Sequence, residues 1–207
     1  GAIQTRSSRL LIPAAMKPDT YSIWLSAGEF RGTMEFMRAY VVYSDDHGAT
    51  WRRGALVRAL TNENQLVELS DGTVLMDARQ NAGGRRWMIA SKDGGASWSE
   101  PHPGETVTAV ATAIERFTSA AAGDDHDRII WTGPSGPGRQ TLVVRVSYDE
   151  ARTFPKERVL YSGKAAYSDL DILKDKTAGL LWERDDYKFI TFTRCNREFL
   201  EGGPQGR

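Results

Sequence analysis

The chain has 207 residues, of which 40% are hydrophobic and 26% charged, and such a composition is typical of a globular protein that buries a core. Lys plus Arg and Asp plus Glu both number 27, so the charge balance indicates neither a nucleic acid nor a membrane surface as a partner. No run of about 18 apolar residues occurs, so no transmembrane segment is predicted. Composition thus excludes disorder as the main state and leaves the ligand open.

Short apolar or alternating runs separated by turn residues follow one another along the chain, and each has the length of a β-strand. They predict an all-β chain of about twelve or more strands. The Ala- and Thr-rich region from Glu105 to Gly123 fits either strands or a short helix. The runs are Leu10–Ile12, Tyr21–Leu25, Ala39–Tyr43, Gln65–Leu69, Thr73–Asp77, Arg86–Ala90, Arg128–Trp131, Thr141–Val146, Arg158–Tyr161, Leu170–Leu173, Gly179–Trp182 and Lys188–Thr193.

A turn motif, the Asp box, occurs twice in full and once in altered form. Residues 44–51 and 91–98 fit S-x-D-x-G-x-[ST]-W, and residues 147–154 fit with Ala for Gly and Phe for Trp. An Asp carboxylate can accept from turn N–H groups, Gly adopts positive φ, and the aromatic ring packs back onto the strands. We therefore interpret the boxes as structural. Their key residues are Ser44, Asp46, Gly48, Trp51, Ser91, Asp93, Gly95, Trp98 and Asp149.

The spacing of these turns predicts a repeat architecture. The boxes begin at residues 44, 91 and 147, and self-similarity at such a period is typical of a propeller or solenoid. Two further turns, at residues 69–73 and 173–177, hold equivalent places before an apolar strand. At about 40–50 residues and four strands per blade, the chain corresponds to roughly four blades.

The single cysteine and the three histidines limit the redox and metal chemistry that the sequence can support. Cys195 ends an alternating run, which predicts a buried thiol, and no internal disulfide can form. The histidines, His47, His102 and His126, lack the spacing of metal ligands. No metal ion and no cofactor is predicted.

Four side chains outside the boxes could carry chemistry. Glu63 precedes an apolar strand and Arg79 ends the next one, whereas Arg139 follows a turn-rich segment and Tyr167 opens a strand. Taken singly, each residue is typical of an exposed loop charge or of aromatic packing. Read together with the repeats, they resemble the C-terminal part of a bacterial exo-α-sialidase (neuraminidase). The resemblance rests on residues 62–64, 67–72, 77–79, the box at 91, Arg139, residues 166–170 and residues 179–183.

The resemblance implies both a fold and roles for individual residues. The fold would be the six-bladed sialidase propeller, with residues 1–207 as one partial catalytic propeller whose N-terminal blades are missing. Tyr167 would be the nucleophile, Glu63 its activating base, and Arg79 and Arg139 two of three arginines that bind the sialic acid carboxylate. Glu183 would orient the third arginine. Sialylated glycans would be the partners, and a secreted or periplasmic location is expected.

These roles agree with elementary chemistry. The carboxylate on the anomeric carbon of sialic acid would repel a carboxylate nucleophile, whereas a neutral phenol can approach and lose its proton during attack. A phenol with a pKa of about 10 needs an adjacent base and nearby cations. The planar guanidinium suits a carboxylate because it donates two parallel hydrogen bonds. The family's first triad arginine and its Asp acid/base find no match here, so little hydrolase activity is expected of this chain alone.

Two other interpretations remain open at the level of sequence. A non-catalytic Asp-box propeller acting as a binding or scaffold module explains the boxes equally well. A different glycosidase would need paired acids at strand ends, and candidate pairs are Asp45 with Asp46, Asp124 with Asp125, and Asp185 with Asp186. Three aromatic residues fit either strand packing or an acceptor region, namely Tyr21, Trp24 and Tyr187.

Overall fold

The computed structural model of the protein describes residues 1–16, 37–80 and 83–202. The chain divides into two compact units, Gly1–Glu105 and Thr106–Arg207. Fourteen strands lie in the described residues, and all their pairings are antiparallel, which confirms the all-β prediction. The predicted strand Tyr21–Leu25, with Tyr21 and Trp24, lies outside the described residues.

Two four-stranded sheets form around the core of the first unit. In the first sheet, β1 to β4 are neighbours in chain order, and in the second, β5 to β8 follow the same rule. Buried apolar side chains of both sheets, among them Leu11, Val41, Leu66 and Ile89, pack into one core. The strands are β1 (Ile3–Gln4), β2 (Leu10–Met16), β3 (Arg38–Ser44), β4 (Arg52–Arg53), β5 (Thr61–Glu68), β6 (Val74–Gln80), β7 (Gly84–Ser91) and β8 (His102–Val107).

A six-stranded sheet forms the second unit, in the order β14-β13-β12-β11-β10-β9. Its core contains Ile130, Leu142, Leu180 and Trp182. The helix α1 (Arg197–Glu201), which was not predicted, is capped by the Asn196 side chain, which accepts from the Phe199 N–H at 2.9 Å. The strands are β9 (Ala113–Thr118), β10 (Arg128–Pro134), β11 (Gln140–Ser147), β12 (Lys156–Ile172), β13 (Ala178–Arg184) and β14 (Phe189–Cys195).

The long strand β12 differs from the prediction of two separate strands, Arg158–Tyr161 and Leu170–Leu173. Its 17 residues pair with β11 through residues 156–164 and with β13 through residues 165–172. One strand therefore belongs to two successive groups of strands, and the described residues form about four such groups, as predicted. The region Glu105–Gly123, whose sequence fits either strands or a short helix, contains the end of β8, all of β9 and a short 3-10 helix, Ala120–Ala122.

Each Asp box lies between the third and fourth strand of its group, and the three boxes share one hydrogen-bond pattern. In the first box the Ser44 hydroxyl donates to Asp46 Oδ1 at 2.7 Å, and Asp46 accepts from the Thr50 N–H at 2.8 Å. The Gly48 N–H donates to the Ser44 hydroxyl at 2.8 Å. Ser91 with Asp93 and Ser147 with Asp149 repeat this arrangement. The boxes are structural turns.

The altered third box shows what the motif requires of its backbone. Gly48 and Gly95 have φ of +90° and +87°. Ala151 takes the equivalent place at +60°, and Glu150 before it is at +61°. A left-handed conformation costs an L-residue about 1–2 kcal/mol. The Ser-Asp-Thr hydrogen bonds hold the turn even without glycine.

Three further features of the framework concern Cys195, membrane-spanning helices and metal-binding groups. Cys195 is buried at the end of β14, and burial raises the pKa of its thiol to about 11. Among residues 1–16, 37–80 and 83–202, no helix has the length and apolar character needed to cross a membrane. The same residues contain no group of His, Cys, Asp and Glu side chains that could hold a metal ion.

Candidate functional site

In the first unit, two of the predicted site residues lie together as an ion pair. Arg79 Nη1 on β6 donates to Glu63 Oε2 on β5 at 2.6 Å. Both side chains are largely buried, with 15% and 26% of their surface exposed. A short charge-assisted hydrogen bond of this kind fixes the geometry of both groups. The structure thus brings the Glu63 and Arg79 side chains into direct contact.

The local backbone of β5 explains the direction of the Glu63 side chain. The register between β5 and β6 shifts between Thr61 and Asn64, and Glu63 lies within this irregularity. The buried Asn62 side chain accepts from the Glu63 N–H at 2.7 Å. Bulges of this kind re-aim a side chain at the edge of a strand pair. The sequence Asn-Glu-Asn therefore sets the position of the carboxylate.

A second arginine of this sheet is fully buried beside Arg79. Arg86 on β7 lies opposite Arg79 in the strand register, and its Nε donates to Asp77 Oδ1 at 2.6 Å. The exposed fractions of the Arg86 and Asp77 side chains are 2% and 0%. Because a buried charge is costly without a partner, this pair is a structural support of the sheet.

In the second unit, Arg139 is surrounded by aromatic rings. It lies in the β10–β11 turn, and its carbonyl accepts from the Ala165 N–H of β12 at 3.0 Å. The guanidinium donates to the Tyr187 hydroxyl, and its Cζ lies 5.4 Å from the centre of the Tyr167 ring and 6.0 Å from that of Tyr187. Burial lowers the pKa of Arg139, but its interactions with Tyr187 and Tyr167 outweigh burial and raise that pKa above its usual value. Arg139 is a cation at every physiological pH.

Tyr167 and Glu183 face each other across β12 and β13. The register between these strands shifts between Ala165 and Ser168, so Tyr167 lies in a bulge. Its backbone N–H donates to Glu183 Oε2 at 3.1 Å. Glu183 therefore contacts the backbone of Tyr167 directly. The predicted role of Glu183 toward a further arginine stays a prediction.

A pocket in the second unit is lined by Arg139, Glu183 and Tyr187 among others, whereas Tyr167 is not one of its lining residues. Together with the solvent space at its mouth, it encloses about 180 Å³. One of its charged pairs is Lys164 with Asp186, at 2.5 Å between Nζ and Oδ2. The pocket therefore presents a guanidinium next to mixed charges and small side chains. The lining residues are Arg139, Lys164, Ala165, Ala166, Glu183, Asp186 and Tyr187.

Tyr187 is the residue of this site that sequence reasoning undervalued. Strand packing is the wrong interpretation for it, because it lies in the β13–β14 turn with 54% of its surface exposed and contacts Arg139. Asp185, Asp186 and Tyr187 have φ of +53°, +54° and +65°. Three successive left-handed residues without glycine are rare, and no signal in the sequence indicates them. The adjacent Asp185 and Asp186 belong to this turn.

The arrangement in the second unit can bind an anion. The Arg139 guanidinium lies 5.4 Å from the centre of the Tyr167 ring, a cation–π contact that keeps the cation next to the phenol. The same guanidinium can donate to a carboxylate ligand. In the first unit, the Glu63 carboxylate accepts a hydrogen bond from Arg79 at 2.6 Å.

Comparison with known proteins places these geometries in context. Residues 1–180 match the family model described as a BNR repeat-like domain. The sialidase of Micromonospora viridifaciens is 38% identical over 173 residues, which cover 79% of this chain and 25% of that protein. The chain thus spans about a quarter of this relative's length. These matches confirm the resemblance to bacterial sialidases.

Two solved structures establish the fold. The Hadza microbial sialidase Hz136 superposes with a TM-score of 0.80 at 22% identity, over 96% of this chain and 37% of that one. The intramolecular trans-sialidase from Ruminococcus gnavus, solved in complex with oseltamivir carboxylate, superposes with a TM-score of 0.76 at 20% identity, over 98% of this chain and 44% of that one. The fold is therefore of the sialidase β-propeller type.

Proposed function

The chain belongs to the family of BNR repeat-like domains, and from this premise we propose that it is part of the catalytic propeller of an exo-α-sialidase. The reaction is the hydrolysis of terminal sialic acid from glycoproteins, glycolipids and oligosaccharides, with retention at the anomeric carbon. The observation that carries the proposal is the contact of Arg139 with the Tyr167 ring at 5.4 Å, because a cation beside a phenol serves both substrate binding and nucleophile activation.

In this mechanism the Tyr167 oxygen attacks the anomeric carbon while its proton passes to the Glu63 carboxylate. The glycosidic bond breaks, and the leaving oxygen takes a proton from an acid or from water. Water then hydrolyses the sialyl-tyrosine bond and restores the phenol. Arg79 and Arg139 bind the substrate carboxylate, and the Glu183 contact with the Tyr167 N–H holds the nucleophile in its bulge.

We further propose that the 207 residues alone turn natural sialosides over slowly. The family's Asp acid/base and its first triad arginine have no counterpart among the matched motifs. A natural leaving alkoxide depends on protonation, since its conjugate acid has a high pKa. A binding module with the same pocket would show carboxylate binding and no turnover even with an activated leaving group.

The carboxylate site can be tested with a matched pair of ligands. Oseltamivir carboxylate, present in the Ruminococcus gnavus structure, and its ethyl ester differ only in whether the carboxylate is capped. We expect the acid to bind this chain about tenfold more tightly than the ester in calorimetric titration, because charge-assisted hydrogen bonds contribute roughly 1.5–3 kcal/mol. Arg139→Ala should reduce that preference.

The control variant is Arg152→Ala, which removes an exposed arginine of the same unit that does not line the pocket. It should leave the preference for the acid unchanged. Equal affinity for acid and ester in the wild-type chain would contradict the proposal. An equal loss in both variants would show that only net charge matters.

A further inference from the structure

Tyr187 contacts Arg139 in a way that the proposed catalytic roles do not use. Its hydroxyl accepts from Arg139 Nη1, and the guanidinium also lies 6.0 Å from the centre of its ring. The second guanidinium nitrogen, Nη2, lies 3.5 Å from the Ala109 carbonyl, which is a weak contact. The Tyr187 hydroxyl is therefore a stronger hydrogen-bond partner of this cation than the Ala109 carbonyl.

The chemistry of that partner matters for anion binding. A carboxylate in the same place would cancel the positive charge of Arg139, whereas a neutral phenol orients the guanidinium plane and leaves its charge available. A bidentate hydrogen bond to a carboxylate depends on that orientation.

The turn that carries Tyr187 is held from several sides. The Tyr161 hydroxyl donates to Asp185 Oδ1 at 2.6 Å, and the Asp185 N–H donates to the Lys164 carbonyl at 2.9 Å. Lys164 Nζ also binds Asp186 Oδ2 at 2.5 Å. Left-handed conformations at three successive residues persist only where surrounding contacts impose them, and such sites cluster at functional positions.

We propose that Tyr187, with the left-handed turn Asp185–Tyr187, is a positioning residue that orients the Arg139 guanidinium for a substrate carboxylate. This inference rests on the proposed function of Arg139. Tyr187 acts through the guanidinium, so its removal should mobilise Arg139 and weaken binding of a carboxylate without abolishing it.

The test uses Tyr187→Phe in the 207-residue chain, which removes only the hydroxyl of a half-exposed side chain. Nitrogen NMR of the Arg139 side chain, assigned with Arg139→Lys, reports rotation of the guanidinium. We expect rotation to be slow in the wild type and faster in Tyr187→Phe. The affinity for oseltamivir carboxylate should fall about threefold to tenfold, the contribution of one hydrogen bond, with no change for the ethyl ester.

Two further variants sharpen this test. Tyr161→Phe removes the hydrogen bond that holds Asp185 and should produce the same change to a smaller extent. Tyr148→Phe, a tyrosine of the third box outside the pocket, should change neither rotation nor affinity. Thermal unfolding of each variant shows that the fold is retained.

The outcomes separate the two proposals. Unchanged rotation and affinity in Tyr187→Phe, with affinity lost in Arg139→Ala, would overturn the positioning role and leave the proposed function intact. Faster rotation in Tyr187→Phe, with no effect of Arg139→Ala on carboxylate binding, would overturn the proposed function, and with it the purpose of the orientation. Faster rotation together with weaker binding supports both.

Discussion

Two arginines, one in each unit, are held by different kinds of partner. In the first unit the buried Arg86 binds the Asp77 carboxylate at 2.6 Å. In the second unit Arg139 contacts phenols and a carbonyl. This difference indicates that an arginine paired directly with a carboxylate mainly stabilises the structure. An arginine held by neutral groups, in contrast, remains able to attract an anionic ligand.

A second ionisable group of the second unit, Glu115 on β9, is affected mainly by burial. Burial raises the pKa of Glu115 to about 7, while the hydrogen bond from the Arg116 N–H at 3.3 Å opposes this shift. An ordinary Glu titrates near 4.3. The second unit therefore contains a carboxyl group that is uncharged in mild acid and ionised above neutral pH.

Breaking the buried pair of the first unit should have the largest effect. Asp77→Asn removes the charge that compensates the fully buried Arg86, and such a loss costs about 3–5 kcal/mol. Urea unfolding measures this loss. The control is Asp125→Asn in the second unit, where Arg128 keeps Glu201 at 2.6 Å and the lost carboxylate is 42% exposed. Equal losses in both variants would contradict the expectation that the fully buried pair contributes more to stability than the half-exposed carboxylate.

The boxes offer the next test, since the first unit uses glycine where the third box has alanine. A Cβ at Gly95 would lie 2.5 Å from Val41 Cγ2 and 3.1 Å from Leu11 Cδ2, at a φ of +87°. Overpacking and the left-handed conformation together should cost Gly95→Ala about 2–3 kcal/mol of unfolding free energy. Gly123→Ala, also left-handed but with open space around its Cβ, is the matched control and should lose less.

The pH dependence of stability should distinguish the two units, because Glu115 lies in the second. Because its folded pKa is raised to about 7, Glu115 favours the folded state below the unfolded pKa and loses that contribution as pH rises from about 4 to 7. Glu115→Gln should therefore stabilise the chain by roughly 1–2 kcal/mol at pH 8 and by little at pH 4. Chemical unfolding at both pH values measures this. Equal gains at the two pH values would contradict it.

The box carboxylates work in the opposite direction. Hydrogen bonds from Thr50 and Ser44 lower the pKa of Asp46 to about 2, and its counterparts Asp93 and Asp149 also have lowered pKa values. A lowered pKa contributes stability above the unfolded value near 4 that is lost as pH falls toward 2. Both units should thus lose stability below pH 4, whereas the loss of stability toward neutral pH comes from Glu115 in the second unit.

The smallest effect is expected where the third box lacks glycine. Ala151→Gly relieves a left-handed alanine at a gain of about 1 kcal/mol, but it also loses a buried methyl group and gains chain entropy in the unfolded state. These contributions nearly cancel, so the free energy of unfolding in urea should change by less than about 0.5 kcal/mol. A larger loss of stability would show that methyl burial outweighs backbone strain at this turn.

Local patterns predicted much of this structure because they depend on neighbours in the chain. The box turns follow from Ser, Asp and Thr at fixed offsets, and Glu63 meets Arg79 because one hairpin joins their strands. The contact of Arg139 with Tyr187 joins residues 48 positions apart through a left-handed turn without glycine, which local propensity disfavours. The continuity of β12 likewise depends on two partner strands, and sequence runs do not reveal it.

The central claim is that Tyr167 is a nucleophile toward sialosides. An aryl sialoside whose leaving phenol has a low pKa does not depend on an acid to protonate that phenol. This chain should therefore react with it even if protonation of natural leaving groups is lacking. Intact mass spectrometry and peptide mapping should find one sialyl group on Tyr167, absent in Tyr167→Phe and retained in Tyr148→Phe. The absence of any adduct, or an adduct that persists in Tyr167→Phe, would contradict the account.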